Sequence, residues 1–465
     1  MSKTSSIDLD ALERLLPRYG GPGPRYTSYP TAPVWSGDYA VESLRESLGR
    51  LDPNRDIALY AHVPFCTSLC HFCACNRVIT QKPEPPVEYL DHIALEIAAF
   101  AEAVPARLHV SQLHWGGGTP THLSPAQIEL LFRHMTDAFP LREDAEISIE
   151  VDPRVTTDEQ MDALATCGFN RISLGVQDTN PATQKAVHRI QPFEMTRHLT
   201  EGARARGFES VNFDLIYGLP YQTEESFAHT LDEILEVRPD RIALYAYAHV
   251  TWVAKQQRGF ERKDLPDPAT RIRIMLMATR RLLDAGYRPI GMDHFAVADD
   301  ELSRALDDGT LRRNFMGYTT QEGLDVLAFG PSAISELPDA YAQSEREIGA
   351  WQEAVRRTGL TTMRGHLLSP DDVVRRWLIG RIMCHGEVRA ADYAERFGGR
   401  IAVDFSQELE RLEVLQADGL VRIGEAGGFV VEPLGRLLVR HVAMAFDAYL
   451  PEQQKRDQPL FSRTV

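Results

Sequence analysis

Four of the chain's six cysteines lie close together, at Cys66, Cys70, Cys73 and Cys75. The first three have the spacing C-x3-C-x2-C, and Cys75 follows directly after them as a C-x-C. Thiolates grouped in this way bind a metal ion or a metal cluster, whereas a disulfide framework spreads its cysteines through a small secreted chain. The spacing therefore predicts a metal centre in this loop.

Zinc and iron–sulfur chemistry are the two alternatives for the loop. Zinc takes four ligands, usually as two pairs from separate turns, and no second such pair follows downstream. A [4Fe–4S] cluster takes thiolates at its iron corners, so three neighbouring thiolates leave one iron open to a ligand. The pattern favours a catalytic cluster, and a zinc ion wrapped by all four cysteines stays the alternative.

The segments that position this loop alternate between strand and helix. Apolar, β-branched runs occupy 57–65, 110–120, 146–153, 171–178, 210–220 and 241–249. Helix-period segments lie between them, for example at 87–104, 124–139 and 223–237. Repeated units of this kind predict an α/β fold with a parallel sheet and helices outside it.

Polar and glycine-rich residues follow these strands at their carboxyl ends, which is where α/β enzymes place their sites. The cysteine loop follows the first strand, and Gly116, Gly117 and Gly118 end the second. Glycines there either let the backbone approach a ligand or form a plain turn. Glu150, at the end of the third strand, is either an acceptor for ribose hydroxyls or a solvated charge.

The pattern changes near residue 366, where helices are followed by two short apolar runs around a glycine-rich turn. This order is typical of a winged helix. Residues 371–465 carry 13 basic and 15 acidic side chains without a basic stripe. We therefore expect a lid or packing domain and no DNA binding.

Composition narrows the class of protein further. The chain has 465 residues and a net charge of −16, which argues against a general nucleic-acid binder. It has no basic segment leading into an apolar stretch at its N-terminus, and no apolar run near the ~18 residues of a membrane span. We expect a cytoplasmic protein with reduced cysteines. Because the sequence has no coiled coil or repeat, we expect a monomer.

Eight segments together resemble the oxygen-independent coproporphyrinogen III oxidases of the radical S-adenosylmethionine (SAM) superfamily. They are GPRYTSYPT (23–31), YAHVPFCTSLCHFCACN (60–76), QLHWGGGTPTHL (112–123), ISIEVDPR (147–154), GFNRISLGVQD (168–178), NFDLIYGLPYQT (212–223), GMDHFA (291–296) and RNFMGYTTQ (313–321). The resemblance implies a partial (β/α)6 radical SAM barrel with a mainly helical, winged-helix-like C-terminal domain. The expected division is an N-terminal segment at the substrate site (1–50), the radical SAM core (51–285), a barrel extension (286–365) and a helical lid domain (366–465).

The resemblance also implies one [4Fe–4S] cluster and two SAM molecules. It assigns Cys66, Cys70 and Cys73 to the cluster and makes Cys75 an extra cysteine that is not a ligand. The residues that it places beside the first SAM are Tyr60, Gly117 and Glu150. Those that it places beside the second are Phe72, Gly118, Thr119, Gln177, Arg189, Asp214, Ala248 and Ile334. Of these, Glu150, Arg189 and Ile334 are the candidate catalytic residues.

The reaction that the resemblance implies converts two propionates of coproporphyrinogen III to the vinyl groups of protoporphyrinogen IX. The 5′-deoxyadenosyl radical takes a hydrogen from the propionate β-carbon, and loss of CO2 and of one electron to an acceptor then forms the double bond. The partners are the substrate, a flavodoxin- or ferredoxin-like electron donor and an unknown electron acceptor. Two alternatives are a heme chaperone without porphyrinogen turnover and a zinc-stabilised regulatory module.

The substrate carries four carboxylates, which need local cations in an acidic chain. We hypothesise that Arg25 and Arg313 bind propionates through bidentate pairs. The alternative is that Arg25 fixes the N-terminal segment in place.

Met316 is one departure from the family pattern, because the segment that usually reads NFQGYTT reads NFMGYTT here. Glutamine offers an acceptor and two donors, whereas methionine offers a weak acceptor. If the amide contacts SAM or substrate, Met316→Gln is expected to change turnover or cofactor affinity. Steady-state kinetics and SAM binding check this, and unchanged values would mean that the position has no function in this protein.

Overall fold

The computed structural model describes residues 8–251, 254–321, 323–454 and 461. The chain divides into two compact units. The core unit comprises Ser36–Arg281 and Gly323–Leu367, and the accessory unit comprises Met1–Trp35, Leu282–Glu322 and Leu368–Val465. The expected segments 1–50 and 286–365 each contribute to both units, and the four-segment division stays a prediction. Its ends at 1–7, 455–460 and 462–465 lie outside the described residues.

Strands and helices follow one another through the described residues. The strands are β1 (Ile57–Val63), β2 (Phe65–Cys66), β3 (Val78–Ile79), β4 (Val110–Gly117), β5 (Leu141–Val151), β6 (Arg171–Gln177), β7 (Ser210–Tyr217), β8 (Arg241–Ala246), β9 (Tyr287–Gly291), β10 (His294–Val297), β11 (Arg312–Asn314), β12 (Gly317–Thr319), β13 (Asp325–Phe329), β14 (Ile334–Glu336), β15 (Ala340–Gln343), β16 (Arg364–Leu367), β17 (Glu387–Val388), β18 (Val421–Ile423) and β19 (Phe429–Val431). The helices are α1 (Leu9–Tyr19), α2 (Val41–Gly49), α3 (Glu84–Ala103), α4 (Pro125–Ala138), α5 (Asp158–Thr166), α6 (Pro181–Ala186), α7 (Phe193–Ala205), α8 (Glu224–Val237), α9 (Pro268–Asp284), α10 (Glu301–Asp308), α11 (Ile348–Thr358), α12 (Pro370–His385), α13 (Ala390–Phe397), α14 (Ile401–Asp404), α15 (Ser406–Ala417), α16 (Pro433–Arg436), α17 (Val439–Met444) and α18 (Leu450–Gln454).

The sheet of the core unit is built on the strands that the sequence predicts. They lie side by side in the order β1-β4-β5-β6-β7-β8, and every neighbouring pair is parallel. β13 pairs in parallel with the other side of β1, and β14, β15 and β16 continue from it in antiparallel pairs. The expected α/β fold is confirmed, and β13 to β16 are additional strands that the sequence patterns do not predict.

Several helices of the core unit begin where the sequence supplies a cap. Capping boxes form at Ser124 with Gln127, at Thr157 with Gln160 and at Thr223 with Ser226. In each case the first side chain accepts a backbone N–H of the first turn, and the second returns a hydrogen bond to the cap. These caps fix where α4, α5 and α8 leave the carboxyl ends of the preceding strands.

Alternating burial separates the two faces of the sheet. Along β6, Ile172, Leu174 and Val176 are buried while the residues between them are partly accessible. β7 repeats this pattern, with Phe213 buried and Asp214 partly accessible. Because side chains alternate with a period of two, the apolar set packs under the helices and the polar set shares the opposite face. Candidate site residues therefore lie on one face by strand geometry.

The accessory unit contains the expected winged-helix-like arrangement. Helices α12, α13 and α15 precede or flank an antiparallel sheet of order β17-β19-β18. Arg440, which is buried, donates to the backbone carbonyls of Pro24 and Gly23 and so fixes the N-terminal segment to α17. Strands β9 and β10 of this unit form an antiparallel hairpin.

Glu96 is a carboxyl group buried in the core unit, on α3. Its oxygens accept hydrogen bonds from the Gly330 backbone N–H at 2.7 Å and from Trp351 Nε1 at 3.2 Å. Burial raises the pKa of Glu96 to about 8 although these two donors act in the opposite direction. Glu96 thereby joins α3 and α11 to the turn after β13, and its buried carboxyl group resists ionisation.

This raised pKa predicts a pH dependence of stability. Below the unfolded-state pKa near 4.3 Glu96 is protonated in both states, and its stabilising effect is lost as pH rises through about 8. Between pH 6 and pH 8 we expect the free energy of unfolding to fall by about 2 kcal/mol through this group alone. Glu96→Gln should remove that slope, as measured by urea unfolding at several pH values.

Glu102→Gln, on the exposed side of the same helix, is the matched control. It should keep the wild-type slope. Equal slopes in wild type and Glu96→Gln would contradict the prediction.

Candidate active site

The cysteine loop begins at the carboxyl end of the first strand. Cys66 ends β2, and the loop closes where β2 pairs in parallel with β3. Cys66 Sγ lies 3.5 Å from the Thr119 hydroxyl, which follows β4. Cys70 is buried, Cys73 is partly buried and Cys75 is exposed. The three predicted ligands thus project from one loop at the edge where the parallel strands end.

The surroundings of Cys66 and Cys73 shift the pKa values of their thiols in opposite directions. A hydrogen bond from the Cys75 thiol, with further help from Arg77 and Arg189, lowers the pKa of Cys73 to about 6. Burial raises the pKa of Cys66 to about 11, so this thiol is protonated at neutral pH until a metal displaces its proton. Cys73 is therefore the thiol that is already poised as a thiolate.

The loop fits a cluster better than a single ion. In the described part of the chain, no group of three or more His, Cys, Asp or Glu side chains is arranged to hold one metal ion. A tetrahedral zinc site needs four converging ligands, whereas a [4Fe–4S] cube takes each thiolate at a separate iron. Arg154 Nη2 and Arg189 Nη1 lie 3.3 and 3.6 Å from Cys70 Sγ, and such positively charged donors suit an anionic cluster.

The glycines at the end of β4 are needed because neighbouring groups lie too close to their backbone for a side chain. A Cβ on Gly118 would lie 2.5 Å from the carbonyl oxygen of Pro64, and one on Gly116 would lie 3.0 Å from the Glu150 carboxyl. Gly117 has φ +121°, in the region that favours glycine. The backbone of Gly116, Gly117 and Gly118, here called the glycine floor, lies beside the cysteine loop and leaves little room for side chains.

A connected polar group lies beside this floor. The Tyr60 hydroxyl is 3.1 Å from His62 Nδ1, and the Tyr60 ring stacks on His114 with centroids 5.9 Å apart. Glu150 lies 3.6 Å from His114 Nε2 and accepts the Gly117 N–H at 3.3 Å. Desolvation acts to raise the pKa of Glu150, but His114 and this N–H hold it below its usual value. Glu150 is thus an anion that can accept hydrogen bonds from a ligand.

Asp214 is the second carboxyl of the site and behaves differently. Burial and the nearby charge of Glu150 raise the pKa of Asp214 to about 7. Asn212 donates to it at 3.0 Å and the Ser173 hydroxyl at 3.4 Å. The pair therefore combines one ionised carboxylate with one carboxyl that exchanges its proton near neutral pH.

Gln177 occupies an irregular position at the end of β6. The register with β7 shifts between Gly175 and Gln177, and Gln177 has φ +68°. Within the described residues its buried Oε1 has no hydrogen-bond partner. Strained backbone and an unsatisfied buried acceptor together mark a position that a ligand could complete.

Arg189 is buried, and its guanidinium group donates hydrogen bonds to several protein groups. Its Nε donates to Gln191 at 3.1 Å, Nη2 donates to Gly175 O at 2.6 Å, and both Nη atoms bind Asp152 at 3.1 Å. Nη1 also lies 3.6 Å from Cys70 Sγ. The structure therefore connects Arg189 directly to the cysteine loop.

Two glutamines connect the loop after β8 to the cysteine loop. Gln257, which is buried, donates from Nε2 to the carbonyl oxygens of Phe72 and Ala248, both at 3.0 Å. Gln256 donates to the carbonyl oxygen of Cys73. Phe72 and Ala248, distant in sequence, are thereby held by one amide group.

Ile334 belongs to the core unit and Met316 to the accessory unit. Ile334 begins β14, which is separated from β1 by β13 in the sheet order, and it pairs with Gln343. Met316 lies in the turn of the β11–β12 hairpin of the accessory unit, where its N–H donates to Asn314 at 2.9 Å. Their predicted roles stay predictions.

Arg25 and Arg313 have partners within the accessory unit. Arg25 forms an ion pair with Asp293, and Arg313 Nη1 donates to the carbonyl oxygens of Arg25 and Tyr26 at 2.9 and 2.8 Å. The contacts match the alternative in which Arg25 fixes the N-terminal segment. Propionate binding by either arginine stays a prediction.

Sequence reasoning missed several residues of this site. His62 and His114 are polar residues inside apolar strand runs, a signal that was visible in the sequence. Asp152 and Arg154 lie at the end of the third predicted strand and could have been noticed as charges at a strand end. Gln257 lies in a short 3₁₀ helix at Lys255–Gly259, and no comparable signal marks it in the sequence.

The class of protein follows from this fold and from comparison with known proteins. The sequence model of the radical SAM superfamily matches residues 60–234, which include the cysteine loop and strands β4 to β7. The parallel sheet is therefore a radical SAM core, and this membership implies a [4Fe–4S] cluster and SAM as cofactors. The superfamily expected from the sequence is confirmed.

Close relatives define the family. The chain is 43% identical to an oxygen-independent coproporphyrinogen III oxidase of Escherichia coli (strain K12) over 97% of its own length and 98% of the relative's. It is 42% identical to the enzyme of that name from Synechocystis, with 97% of each covered. A solved structure of coproporphyrinogen III oxidase from Escherichia coli, described as a radical SAM enzyme, matches with TM-score 0.89 and 43% identity over 91% of this chain and 97% of that one. This chain belongs to the family of oxygen-independent coproporphyrinogen III oxidases.

Within the described ranges, no helix combines the length and the apolar composition needed to cross a bilayer.

The close approach of Gly118 leads to a prediction. Gly118→Ala places a Cβ 2.5 Å from Pro64 O and 2.8 Å from Phe65 O, so the backbone before Cys66 must move. We expect a loss of about 1–3 kcal/mol in the free energy of unfolding. We also expect a lower iron content after reconstitution, and both are measured on the full chain.

Gly349→Ala is the matched control, because nothing lies within 4 Å of its Cβ position in α11. It should be neutral or stabilising by about 0.5–1 kcal/mol with normal iron content. Normal stability and iron in Gly118→Ala would contradict the prediction.

Proposed function

We propose that this chain catalyses the anaerobic oxidative decarboxylation of two propionate side chains of coproporphyrinogen III to vinyl groups, giving protoporphyrinogen IX. The observation that carries this proposal is the cysteine loop facing the glycine floor and Glu150 at the carboxyl edge of the sheet. Near full-length relatives named for this substrate support it.

In this proposal Cys66, Cys70 and Cys73 hold the cluster. When bound there, the cluster and SAM would supply the abstraction of one hydrogen atom per propionate, with one SAM cleaved for each CO2 and one electron released. Tyr60, Gly117 and Glu150 orient the first SAM, and the ionised Glu150 carboxylate is suited to accept hydrogen bonds from hydroxyl groups.

The proposal includes a second SAM. Its strongest support is the unsatisfied Oε1 of Gln177, since a buried acceptor without a partner is destabilising unless a ligand donates to it. Asp214, with a pKa of about 7, supplies a group that can hold or release a proton at the same face. The other proposed contacts are Phe72, Gly118, Thr119, Arg189, Ala248 and Ile334.

We also propose the setting in which the enzyme works. The six cysteines lie within the described residues and are free thiols there, which supports a reducing cytoplasm. Electrons reach the cluster from a flavodoxin- or ferredoxin-like donor, and an acceptor of unknown identity takes the electron released with each CO2. The chain acts as a monomer.

An anaerobic assay of the reconstituted enzyme tests the proposed function. With SAM, a reductant and coproporphyrinogen III, we expect protoporphyrinogen IX and one 5′-deoxyadenosine for each CO2. Cys70→Ser should abolish both products, because the buried thiol is a proposed cluster ligand. Cys167→Ser, at the end of α5 and outside the loop, is the matched control and should keep turnover.

Binding stoichiometry tests the second SAM separately. Equilibrium dialysis should give two SAM molecules per reconstituted chain and one in Gln177→Ala. A colourless wild-type protein without cleavage of SAM would refute the proposed function, and cleavage without decarboxylation would favour a heme chaperone.

A further inference from the structure

Two guanidinium groups point at the sulfur of one cysteine. Arg154 Nη2 lies 3.3 Å from Cys70 Sγ, and Arg189 Nη1 lies 3.6 Å from the same sulfur atom. Cys70 is 7% exposed, so water does not replace these donors. Neither Arg154 nor its carboxylate partner has a role in the function described above.

Asp152 holds both arginines in place. Its oxygens accept Nε and Nη2 of Arg154 at 3.0 and 2.6 Å, and they accept the two Nη atoms of Arg189 at 3.1 Å. The Arg154 backbone N–H also donates to Asp152 at 3.0 Å, which fixes the turn after β5. The guanidinium fork of Arg154 is therefore oriented before any cluster binds.

Both guanidinium groups are cationic, and the Asp152 carboxylate accepts hydrogen bonds from each of them. Burial acts to raise the pKa of Asp152, and the two arginines hold it below its usual value. Two cations and one anion leave a single net positive charge beside the sulfur.

A net positive charge beside a cluster ligand has a specific effect. Reduction of a cluster adds one negative charge, and hydrogen bonds and positive charge at the sulfurs stabilise the reduced form. Screening by water is weak at buried groups, so the effect of a neighbouring guanidinium is larger than at the surface.

We propose that Arg154, oriented by Asp152, is a positioning residue that holds Cys70 for the cluster and raises the potential at which the cluster accepts its electron. The inference rests on the proposed function in one respect, which is that Cys70 is a cluster ligand. It adds a pair of residues that set how easily an external donor reduces the enzyme.

The test is the midpoint potential of the cluster in the reconstituted full-length enzyme, from a dithionite titration followed by electron paramagnetic resonance. Arg154→Gln removes one positive charge and should shift the potential to more negative values. Asp152→Asn removes the compensating negative charge and should shift it to more positive values. Arg154→Lys keeps the charge and should stay nearer to wild type than Arg154→Gln does.

Arg142→Gln is the matched control. Arg142 forms a comparable fork with Asp56, with Nε at 3.0 Å and Nη2 at 2.6 Å, but it lies at the opposite end of β5. Its substitution should leave the potential unchanged. Iron content is measured for every variant, so that loss of the cluster is distinguished from a shift of its potential.

Opposite shifts in Arg154→Gln and Asp152→Asn support the proposal, because a merely structural role would disturb both variants in the same way. An unchanged potential in Arg154→Gln with normal iron content overturns it, as do shifts in the same direction. If Arg154→Gln does not retain the cluster, Asp152→Asn decides by the sign of its shift. A wild-type enzyme with a cluster but no decarboxylation refutes the proposed function and leaves these potentials to decide the present proposal.

Discussion

The backbone of β4 passes so close to the segment after β1 that Gly118 has no room for a side chain. This contact brings the glycine floor against the segment that enters the cysteine loop, because the carbonyl oxygens of Pro64 and Phe65 occupy the space of the missing Cβ. Thr119, the next residue, then reaches Cys66. The position of the thiols thus depends on main-chain packing between the segments that follow β1 and β4.

Charge is arranged around the site in balanced groups. Glu150 is kept ionised by His114 and a backbone N–H, while Asp214 shares its surroundings and resists ionisation. Asp152 is balanced by two arginines that also face Cys70. The chain as a whole is acidic, but its net charge acts at long range. Close to Cys70 the nearby arginines decide the local charge, which is positive.

The parts of the structure that sequence patterns predicted are those set by local rules. Apolar β-branched runs predicted β1 and β4 to β8, and the thiol spacing placed a metal centre after β1. Contacts between residues far apart in the sequence could not be predicted from local patterns. Arg154 and Cys70 are separated by 84 residues, and Gln257 and Phe72 by 185. Short strands such as β13 and β14 were missed for a related reason, since their pairing with distant segments outweighs weak local signals.

The amide of Gln257 that joins Phe72 to Ala248 also has a meaning for biosynthesis. The ribosome must add 185 residues after Phe72 before this clamp exists. At typical elongation rates of about 5–20 residues per second, that takes roughly 10–40 s. During this interval the nascent chain carries the cysteine loop without the hydrogen bond that Gln257 later donates to Phe72.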